Sequence, residues 1–380
     1  MRLVTNVHST KPMGGVELNV FQVSRELARR GHQIDLLYRE PGSLVPDYRE
    51  FCHSVTKVPE VDYWFPTGRR GRPRQLARVV PAGLAAVRRR PEVIYGNRIM
   101  STGWAVPAGK VVRAPVICHE HGHSDHLSQR RIERLNRHVD RFVLVSRFVA
   151  DLWVGSGLDP DKIDVVFNGV DPDEYPLGGL DERSAARRDL GCPDQAFVVT
   201  YFGRLDREKG VHVLLRAWQR LGFRADEARL LVVGSSTVHH DADAYQAELK
   251  KLATDSVHFI EGRRNVVTPL HASDVVVVPS VWREPFGRTV IEALATGRPV
   301  VASRVGGIPE ILTGPLERFL FERDNPEALA EQLRALRNWR EREPDLAGQC
   351  RAHIVEKFTL SHTVDGIEAA FRSARSRRSR

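Results

Sequence analysis

Two glutamates lie close together at a place in the chain where open α/β sheets bind ligands. Glu284 follows the apolar run Val275–Val278 and lies in a Pro-Phe-Gly turn, and Glu292 lies on a helical pattern that ends at Gly297. The apolar run predicts a buried parallel strand, and sheets of this kind bind ligands at the carboxyl ends of their strands. We therefore interpret the stretch as a ligand site with two carboxylates.

The carboxylates and the backbone amides of this stretch suit different parts of a phosphorylated sugar. Carboxylate oxygens accept hydrogen bonds from sugar hydroxyls. The amides of Phe286, Gly287 and Arg288 stand at the start of the predicted helix, where they can donate to phosphate oxygens.

A second loop supplies two cations. Arg204 and Lys209 lie between Gly203 and Gly210, after the predicted strand Phe197–Phe202 and before a predicted helix. Two cations and a helix N-terminus together suit a diphosphate, because charge-assisted hydrogen bonds and the helix dipole add. An ordinary surface arginine and lysine are the alternative interpretation.

A glycine pair near the N-terminus is a weaker phosphate signal. Gly14 and Gly15 lie where a loop meets the helix predicted over Val16–Arg30. Without side chains the backbone there can approach a phosphate. A plain tight turn explains the pair equally well.

Three alternate histidines, His119, His121 and His123, follow the predicted strand Val116–Cys118. Because strand residues alternate between faces, they could share a face and bind a metal only if the strand continued, and Gly122 argues against that. A single histidine at the carboxyl end of the strand, facing a cleft, is the preferred interpretation.

The elements that must position these residues form two α/β units. A strand-helix-strand pattern opens the chain and restarts after the Pro- and Gly-rich segment Tyr175–Gly179, which we interpret as a linker. Each half then forms a Rossmann-like parallel sheet with right-handed crossovers. We expect residues 41–73 to be irregular, a last helix near Thr359–Arg372, and a disordered Arg- and Ser-rich tail after it.

Length and composition limit the class of protein. The chain of 380 residues suits two domains, and 42% apolar and 28% charged residues are typical of globular proteins. No apolar stretch is long enough to cross a membrane, and the first residues do not resemble a signal peptide. The four cysteines form no CxxC pair, which predicts neither disulfides nor a zinc site and indicates the reducing cytoplasm.

The net charge of +9 admits nucleic acid, an anionic membrane surface or an anionic small ligand as partner. No nucleic-acid-binding motif accompanies the arginines and aromatic residues are few, so we expect no nucleic-acid partner and interpret the arginines as solvated surface. The predicted helix Arg74–Arg90 is basic and amphipathic and could rest weakly on a membrane surface. We expect its apolar residues to pack in the core instead. They are Leu76, Val79, Val80, Leu84 and Val87.

Taken together, these motifs resemble the signature of the family 4 retaining glycosyltransferases of GT-B fold. The motifs that carry the resemblance are Glu284-Pro-Phe-Gly-x4-Glu292-Ala-x-Ala-x-Gly297-x-Pro299-Val-Val, the loop Gly203–Gly210, Gly14-Gly15, Asn168-Gly-Val-Asp171 and Gly306-Gly307-x-Pro309-Glu310. They occur in the family's order from near the N-terminus to about residue 313. The resemblance implies two facing Rossmann-like domains with an interdomain cleft.

The resemblance also implies roles for the residues. Residues 1–172 would bind the acceptor, with a helix at about 358–372 packing back on them, and residues 173–357 would bind a UDP- or GDP-linked sugar. Arg204 and Lys209 would neutralise the departing diphosphate, Glu284 would hold the donor sugar and Glu292 the ribose. The amides around Gly287 and Gly15 would contact phosphate or sugar. His119 matches the cleft histidine of the family, with a register that leaves His121 as the alternative.

The remaining implications concern the base, metals and mechanism. The nucleoside base would contact the loop after Ile260, including Arg263. The family needs no metal or other cofactor. Asp241-Ala-Asp243 has the spacing of a metal-binding DxD motif, but it precedes the predicted helix Asp243–Leu252, so we interpret it as a helix cap.

For the reaction we hypothesise same-face attack, in which the donor phosphate takes the acceptor proton. The expected acceptor is a small soluble molecule such as a polyol, aminocyclitol, sugar or specialised metabolite. A lipid-linked acceptor, a sugar-nucleotide epimerase and a basic nucleic-acid or membrane-surface adaptor of the same fold are the alternatives. The sequence does not fix the oligomeric state.

Overall fold

The structure is a computed structural model that describes residues 1–12, 14–63, 71–123, 127–236, 242–262 and 265–378. The chain divides into two compact units. Unit 1 comprises Met1–Asn168 and Leu360–Arg380, and unit 2 comprises Gly169–Thr359. Each unit has its own parallel sheet flanked by helices.

Unit 1 begins with alternating strands and helices. They are β1 (Arg2–Ser9), α1 (Gly15–Arg29), β2 (Gln33–Glu40), α2 (Val45–Phe51), β3 (Ser54–Lys57), α3 (Gly71–Arg89), β4 (Val93–Asn97), α4 (Thr102–Val112), β5 (Val116–Glu120), α5 (Gln129–His138), β6 (Arg141–Leu144), α6 (Arg147–Gly155) and β7 (Ile163–Val165). The seven strands pair in the order β3-β2-β1-β4-β5-β6-β7. The order reverses between β1 and β4, which is where doubly wound sheets place their ligand crevice.

Unit 2 repeats this architecture with a second sheet. Its elements are α7 (Leu180–Asp189), β8 (Phe197–Phe202), α8 (Val211–Leu221), β9 (Ala228–Val233), α9 (Ala242–Leu252), β10 (Val257–Ile260), α10 (Val267–Ala272), β11 (Val275–Val278), α11 (Arg288–Ala295), β12 (Val300–Ser303), α12 (Ile308–Ile311), β13 (Leu320–Phe321), α13 (Pro326–Ala335), α14 (Trp339–Arg342) and α15 (Leu346–Lys357). The strand order is β10-β9-β8-β11-β12-β13, with the switch point between β8 and β11.

The last helix, α16 (Leu360–Arg378), belongs to unit 1. Its apolar face, including Val364 and Phe371, packs into the core that also holds Leu3, Val23 and Tyr95. The expectation of a disordered tail after Arg372 is wrong, because the helix continues to Arg378. Ion pairs stabilise this extension: they join Arg375 to Glu92 and Arg378 to Asp140.

Two further expectations about local structure are wrong. The segment expected to be irregular between residues 41 and 73 contains α2, β3 and the start of α3. In α3, only part of the apolar set is buried: Val79 is 2% exposed, whereas Leu76, Val80 and Leu84 are 53%, 47% and 53% exposed. Within the described part of the chain, none of the helices has the length and apolar character needed to cross a membrane.

Candidate active site

In unit 2, Lys209 and Glu284 form an ion pair between two neighbouring loops. Lys209 ends a short turn after β8, and Glu284 lies in the loop after β11. The Lys209 Nζ atom is 2.6 Å from Glu284 Oε1, and the Ser280 hydroxyl donates to the same oxygen at 2.6 Å. Burial acts to raise the pKa of Glu284, but Lys209 and Ser280 outweigh it and the pKa is lowered. Glu284 is therefore an ionised hydrogen-bond acceptor.

Glycines let the loops that carry this pair pack backbone against backbone. A Cβ atom at Gly210 would lie 1.9 Å from the Pro279 carbonyl oxygen, and one at Gly306 would lie 1.9 Å from that of Glu284. Both glycines have positive φ angles, of 70° and 58°. The Gly307 amide donates to the Glu284 carbonyl at 2.9 Å. The Gly-Gly motif after β12 thus fixes the loop that holds Glu284.

Arg204 is closer to solvent than Lys209. Its guanidinium is 2.9 Å from the Asp206 carboxylate, and its side chain is 42% exposed. The Tyr201 hydroxyl donates to its carbonyl oxygen, and Arg204 is also among the charges that lower the pKa of Glu284. Both cations predicted for a diphosphate therefore have carboxylate partners in this structure.

Glu292 is held by a second ion pair. The Arg288 Nε atom donates to Glu292 Oε1 at 2.6 Å, an i,i+4 contact within α11. Burial raises the pKa of Glu292, although hydrogen bonds from Arg288 and the Tyr175 side chain oppose the shift. Only the backbone amide of Arg288 is predicted from the sequence to bind a ligand, and the i,i+4 spacing from Arg288 to Glu292 is the signal that could have indicated a side-chain role.

Gly287 and Phe286 shape the start of α11. Gly287 has φ 111° and precedes the helix as its N-cap residue. A Cβ atom there would lie 3.0 Å from the Ile308 side chain. Phe286 is buried, and its ring centroid lies 6.2 Å from that of Phe358. Helix α11 therefore begins directly after the loop that carries Glu284.

A pocket lies at the carboxyl ends of β9 and β10 in unit 2. Its lining comprises Leu205, Gly234, Ser235, Phe259, Ile260 and Glu261 among others. Gly203 lies beside it, because a Cβ atom at Gly234 would be 1.9 Å from the Gly203 carbonyl oxygen. Arg263, predicted to contact the donor, lies outside the described residues, as does Asp241 of the DxD spacing.

In unit 1, a small pocket lies at the switch point of the sheet. It is lined by residues from the ends of β1 and β4, from the start of α1 and from the segment before α3, among them His8, Glu17, Asp62, Asn97 and Arg98. Gly15 begins α1 and Gly14 is its N-cap residue, in extended conformation. The predicted glycine pair therefore adjoins this pocket.

His8 and Asp62 form a pair in this pocket that the sequence analysis missed. The His8 Nδ1 atom is 2.7 Å from Asp62 Oδ2, and this hydrogen bond raises the pKa of His8. The Asp62 side chain is 1% exposed, and its Oδ1 atom finds no hydrogen-bond partner among the described residues. The position of His8 at the end of the first strand was the only sequence signal.

The backbone of Arg98 is strained beside that pair. Its φ of 68° is unfavourable for a residue with a side chain. The Arg98 amide donates to the His119 carbonyl at 2.7 Å, which fixes the turn after β4. Its guanidinium lies 3.4 Å from the Glu17 carboxylate.

The histidines after β5 occupy two different environments. His119 is on β5, fully buried, and its Nδ1 atom forms a hydrogen bond with the Tyr95 hydroxyl. Burial lowers the pKa of His119 to about 3. His121 lies just beyond the strand, with its ring centroid 4.1 Å from that of His119, and burial lowers its pKa as well. Both rings are therefore neutral at ordinary pH.

Within the ranges that the structure describes, no cluster of three or more His, Cys, Asp or Glu side chains is arranged to hold a metal ion. Of the predicted site residues, Lys209 and Glu284 are in contact, as are Arg288 and Glu292. His119, Gly14 and Gly15 belong to unit 1, and the other described candidates belong to unit 2.

Family models match both halves of the chain. The model described as Glycosyltransferase Family 4 matches residues 13–174, and the model described as Glycosyl transferases group 1 matches residues 196–338. The chain is 31% identical to D-inositol 3-phosphate glycosyltransferase of Rhodococcus jostii over 96% of this chain and 86% of that protein. D-inositol 3-phosphate glycosyltransferase 1 of Catenulispora acidiphila is 30% identical over 95% of this chain and 91% of that protein.

Solved structures show the fold. HepE of Anabaena, crystallised with UDP and glucose, matches with a TM-score of 0.81 and 22% identity over 98% of this chain and 99% of its own. Sucrose-phosphate synthase of Thermosynechococcus elongatus matches with a TM-score of 0.76 and 20% identity over 98% of both chains. These matches confirm the predicted GT-B fold. On the family matches and full-length relatives, the chain belongs to the family 4 glycosyltransferases and is a glycosyltransferase.

Proposed function

We propose that the chain transfers a sugar, with retention of anomeric configuration, from a UDP- or GDP-linked donor to a small polyhydroxylated acceptor. The observation that carries the proposal is the half-buried ion pair of Lys209 and Glu284, joined at 2.6 Å. It places a cation and an ionised hydroxyl acceptor side by side at the carboxyl ends of β8 and β11. A sugar diphosphate needs both at adjacent positions.

On the donor side, each charged group has a distinct role. Lys209 and Arg204 offset the charge that develops on the departing diphosphate, and the amides at the start of α11 add to them. Glu284 accepts hydrogen bonds from hydroxyls of the transferred sugar. Glu292, oriented by Arg288 and Tyr175, accepts those of the ribose.

The pocket after β9 and β10 suits the nucleoside base. Its lining by Leu205, Phe259 and Ile260 offers apolar surface, and Glu261 adds a polar group at the rim. The loop that follows Ile260 is the one assigned to the base by family resemblance.

On the acceptor side, the switch-point pocket of unit 1 suits hydroxyl groups. The buried Oδ1 atom of Asp62, which has no hydrogen-bond partner among the described residues, can accept a hydrogen bond, and His8 fixes the orientation of the carboxylate. Two relatives that span nearly the whole chain are named for D-inositol 3-phosphate. A cyclic polyol or its phosphate ester is the acceptor class that this likeness favours.

Of the two histidines, His121 is the better candidate for contact with the transferred sugar. His119 lies within the sheet and its Nδ1 atom is engaged by Tyr95. His121 follows the strand end, and this position favours it, since the buried Nε2 atoms of both rings have no hydrogen-bond partner in the described part of the chain. Its neutral ring can accept or donate one hydrogen bond.

The proposed reaction is attack on the face from which the diphosphate departs. The acceptor oxygen bonds to the anomeric carbon, the bond from that carbon to the phosphate oxygen breaks, and the acceptor proton passes to the phosphate. No protein nucleophile or metal takes part. Catalysis then rests on positioning and on stabilisation of the leaving group.

The test combines donor and acceptor screens. Thermal shift across nucleoside diphosphates and their sugars identifies the donor, since a ligand that binds only the folded chain raises the melting temperature. Incubation of that donor with D-inositol 3-phosphate or inositol, in excess EDTA, should give a product whose NMR anomeric coupling matches the donor. An inverted product, or activity lost with EDTA, contradicts the mechanism. Interconversion of donor sugars without acceptor contradicts transfer itself.

A further inference from the structure

Glu120 is a buried carboxylate at the carboxyl end of β5, directly before His121. It is 8% exposed. Its Oε2 atom accepts a hydrogen bond from the Ile99 amide at 2.7 Å, and its Oε1 atom accepts from the amides of His121 and Gly122 at 2.9 and 3.1 Å. Both oxygens thus have backbone donors, and one side chain joins the turn after β4 to the turn after β5.

The turn after β4 is the fixed partner in this connection. The Arg98 amide donates to the His119 carbonyl at 2.7 Å, and the Ser101 amide and hydroxyl donate to the Arg98 carbonyl at 3.1 and 2.8 Å. These bonds hold the turn independently of Glu120. The Ile99 amide is therefore an anchor from which the carboxylate holds the turn after β5.

The hydrogen bonds of Glu120 restrict the backbone of His121 in particular. The amides of His121 and Gly122 belong to the two peptide units on either side of the His121 Cα atom. Because both donate to the same oxygen, they restrict the φ and ψ angles of His121 and set the direction in which its side chain leaves the backbone.

Helix α6 holds the same turn from a second side. The Nε1 atom of Trp153 donates to the Gly122 carbonyl at 3.0 Å, and Trp153 is 1% exposed. Glu120 therefore binds the amide of Gly122, and Trp153 binds its carbonyl. The segment that carries His121 is fixed to two neighbouring elements of unit 1.

We propose that Glu120 is a positioning residue for sugar transfer, which fixes the His121 backbone so that the imidazole meets the transferred sugar in one orientation. This inference rests on the proposed function and on the contact assigned there to His121. A group that touches the reacting sugar must be placed closely, because a shift of about 1 Å can lower the rate about a hundredfold.

The surroundings of Glu120 require hydrogen-bond acceptors only. Burial raises the pKa of its carboxyl, and the neighbouring backbone amides and the charge of Arg98 oppose the shift. A carboxamide in its place would turn its NH2 group toward at least one backbone N–H. The substitution Glu120→Gln therefore keeps the volume of the side chain and breaks the connection.

The experiment is a double-mutant cycle on sugar transfer by the full chain, with the donor and acceptor that the thermal-shift and product screens identify. Glu120→Gln alone should lower kcat about tenfold. In a chain that already carries His121→Ala, the same substitution should change kcat by less than about twofold, because Glu120 acts through His121. A residue that only supports the fold would lower kcat by the same factor in both chains.

Trp153→Phe reaches the same turn from α6. It keeps the aromatic packing, removes the donor to Gly122 and should lower kcat about threefold, again only while His121 is present. Where Glu120→Gln does not fold, the cycle with Trp153→Phe decides. The matched control is Asp140→Asn, since Asp140 accepts the Val116 amide at 2.8 Å at the other end of β5. Its kcat should stay near normal.

Hydrogen exchange tests the connection without the reaction. The amides of His121 and Gly122 should exchange about tenfold faster in Glu120→Gln than in the unaltered chain, and Asp140→Asn should leave them unchanged. Unchanged exchange in Glu120→Gln overturns the inference. Faster exchange with equal factors in the two arms of the cycle overturns it alone, whereas an unaltered chain that transfers no sugar overturns the proposed function and this inference with it.

Discussion

The two units place their polar groups in different ways. In unit 2 the charged side chains of the site are already paired, Lys209 with Glu284 and Arg288 with Glu292. In unit 1 the pocket contains a buried carboxylate oxygen on Asp62 that has no partner in the described structure. Charged side chains that pair with each other need no ligand to be stable. A buried acceptor atom without a partner, in contrast, destabilises the folded chain until a ligand donates a hydrogen bond to it. On the proposed function, unit 2 would be a preorganised donor half and unit 1 an acceptor half that its ligand completes.

The largest expected effect comes from breaking the pair in unit 2. Lys209→Ala should lower kcat by about a hundred- to a thousandfold, because it removes a cation from the departing diphosphate. The fold should remain intact, as judged by the melting temperature.

Arg207→Ala is the matched control for Lys209→Ala. Arg207 lies in the same turn but pairs with Glu248 at the surface. Its substitution should leave turnover near normal. Near-normal turnover of Lys209→Ala as well would remove Lys209 from the mechanism.

The next effect tests how the donor loops are held. Gly306→Ala should lower the free energy of unfolding by about 3 kcal/mol, because its left-handed backbone and its contact with the Glu284 carbonyl leave no room for a methyl group. Gly348→Ala, on α15 with open space around it, should stabilise the chain by about 0.5–1 kcal/mol. Urea unfolding measures both, and equal changes would show that the close approach is unimportant.

In unit 1, His119 should make stability depend on pH. Its folded pKa of about 3 lies below the ordinary 6.5, so the unfolded chain binds the extra proton and stability falls as pH drops below 6.5. One pH unit is worth about 1.4 kcal/mol. Between pH 7 and pH 5 the free energy of unfolding of the unaltered chain should therefore fall by about 2 kcal/mol more than that of the His119→Gln variant. Equal losses in the two chains would show that His119 is not held neutral.

The smallest expected effect concerns the buried Oδ1 atom of Asp62. Asp62→Asn should raise KM for the acceptor by about tenfold and leave KM for the donor unchanged, because one charged hydrogen bond is weakened. Asp151→Asn, an exposed carboxylate of the same unit, should change neither constant. A rise in the donor constant, or no change in the acceptor constant, would separate Asp62 from acceptor binding.

The same comparison explains what could be predicted from the sequence. The strands Phe197–Phe202 and Val275–Val278 have the predicted bounds, because apolar runs mark buried parallel strands. Helices α2, α4, α5 and α7 were not predicted. Their apolar residues are few or interrupted, and tertiary packing decides their conformation.

The site residues also divide into those that could be predicted from the sequence and those that could not. The residues of unit 2 lie in loops that directly follow strands, so spacing along the chain brings Glu284 and Lys209 to one sheet edge. The partner of His8 lies 54 positions away, and no local pattern marks Asp62. Tyr175 was likewise assigned to a linker, although its side chain contacts Glu292.

The most direct measurement is calorimetry of Glu284→Gln with the donor sugar nucleotide and with the corresponding nucleoside diphosphate. The central claim is that Glu284 binds the transferred sugar while Lys209 and the helix start bind the diphosphate. Affinity for the sugar nucleotide should therefore fall about tenfold, with a much smaller change for the nucleoside diphosphate. Equal losses for both ligands would contradict the account.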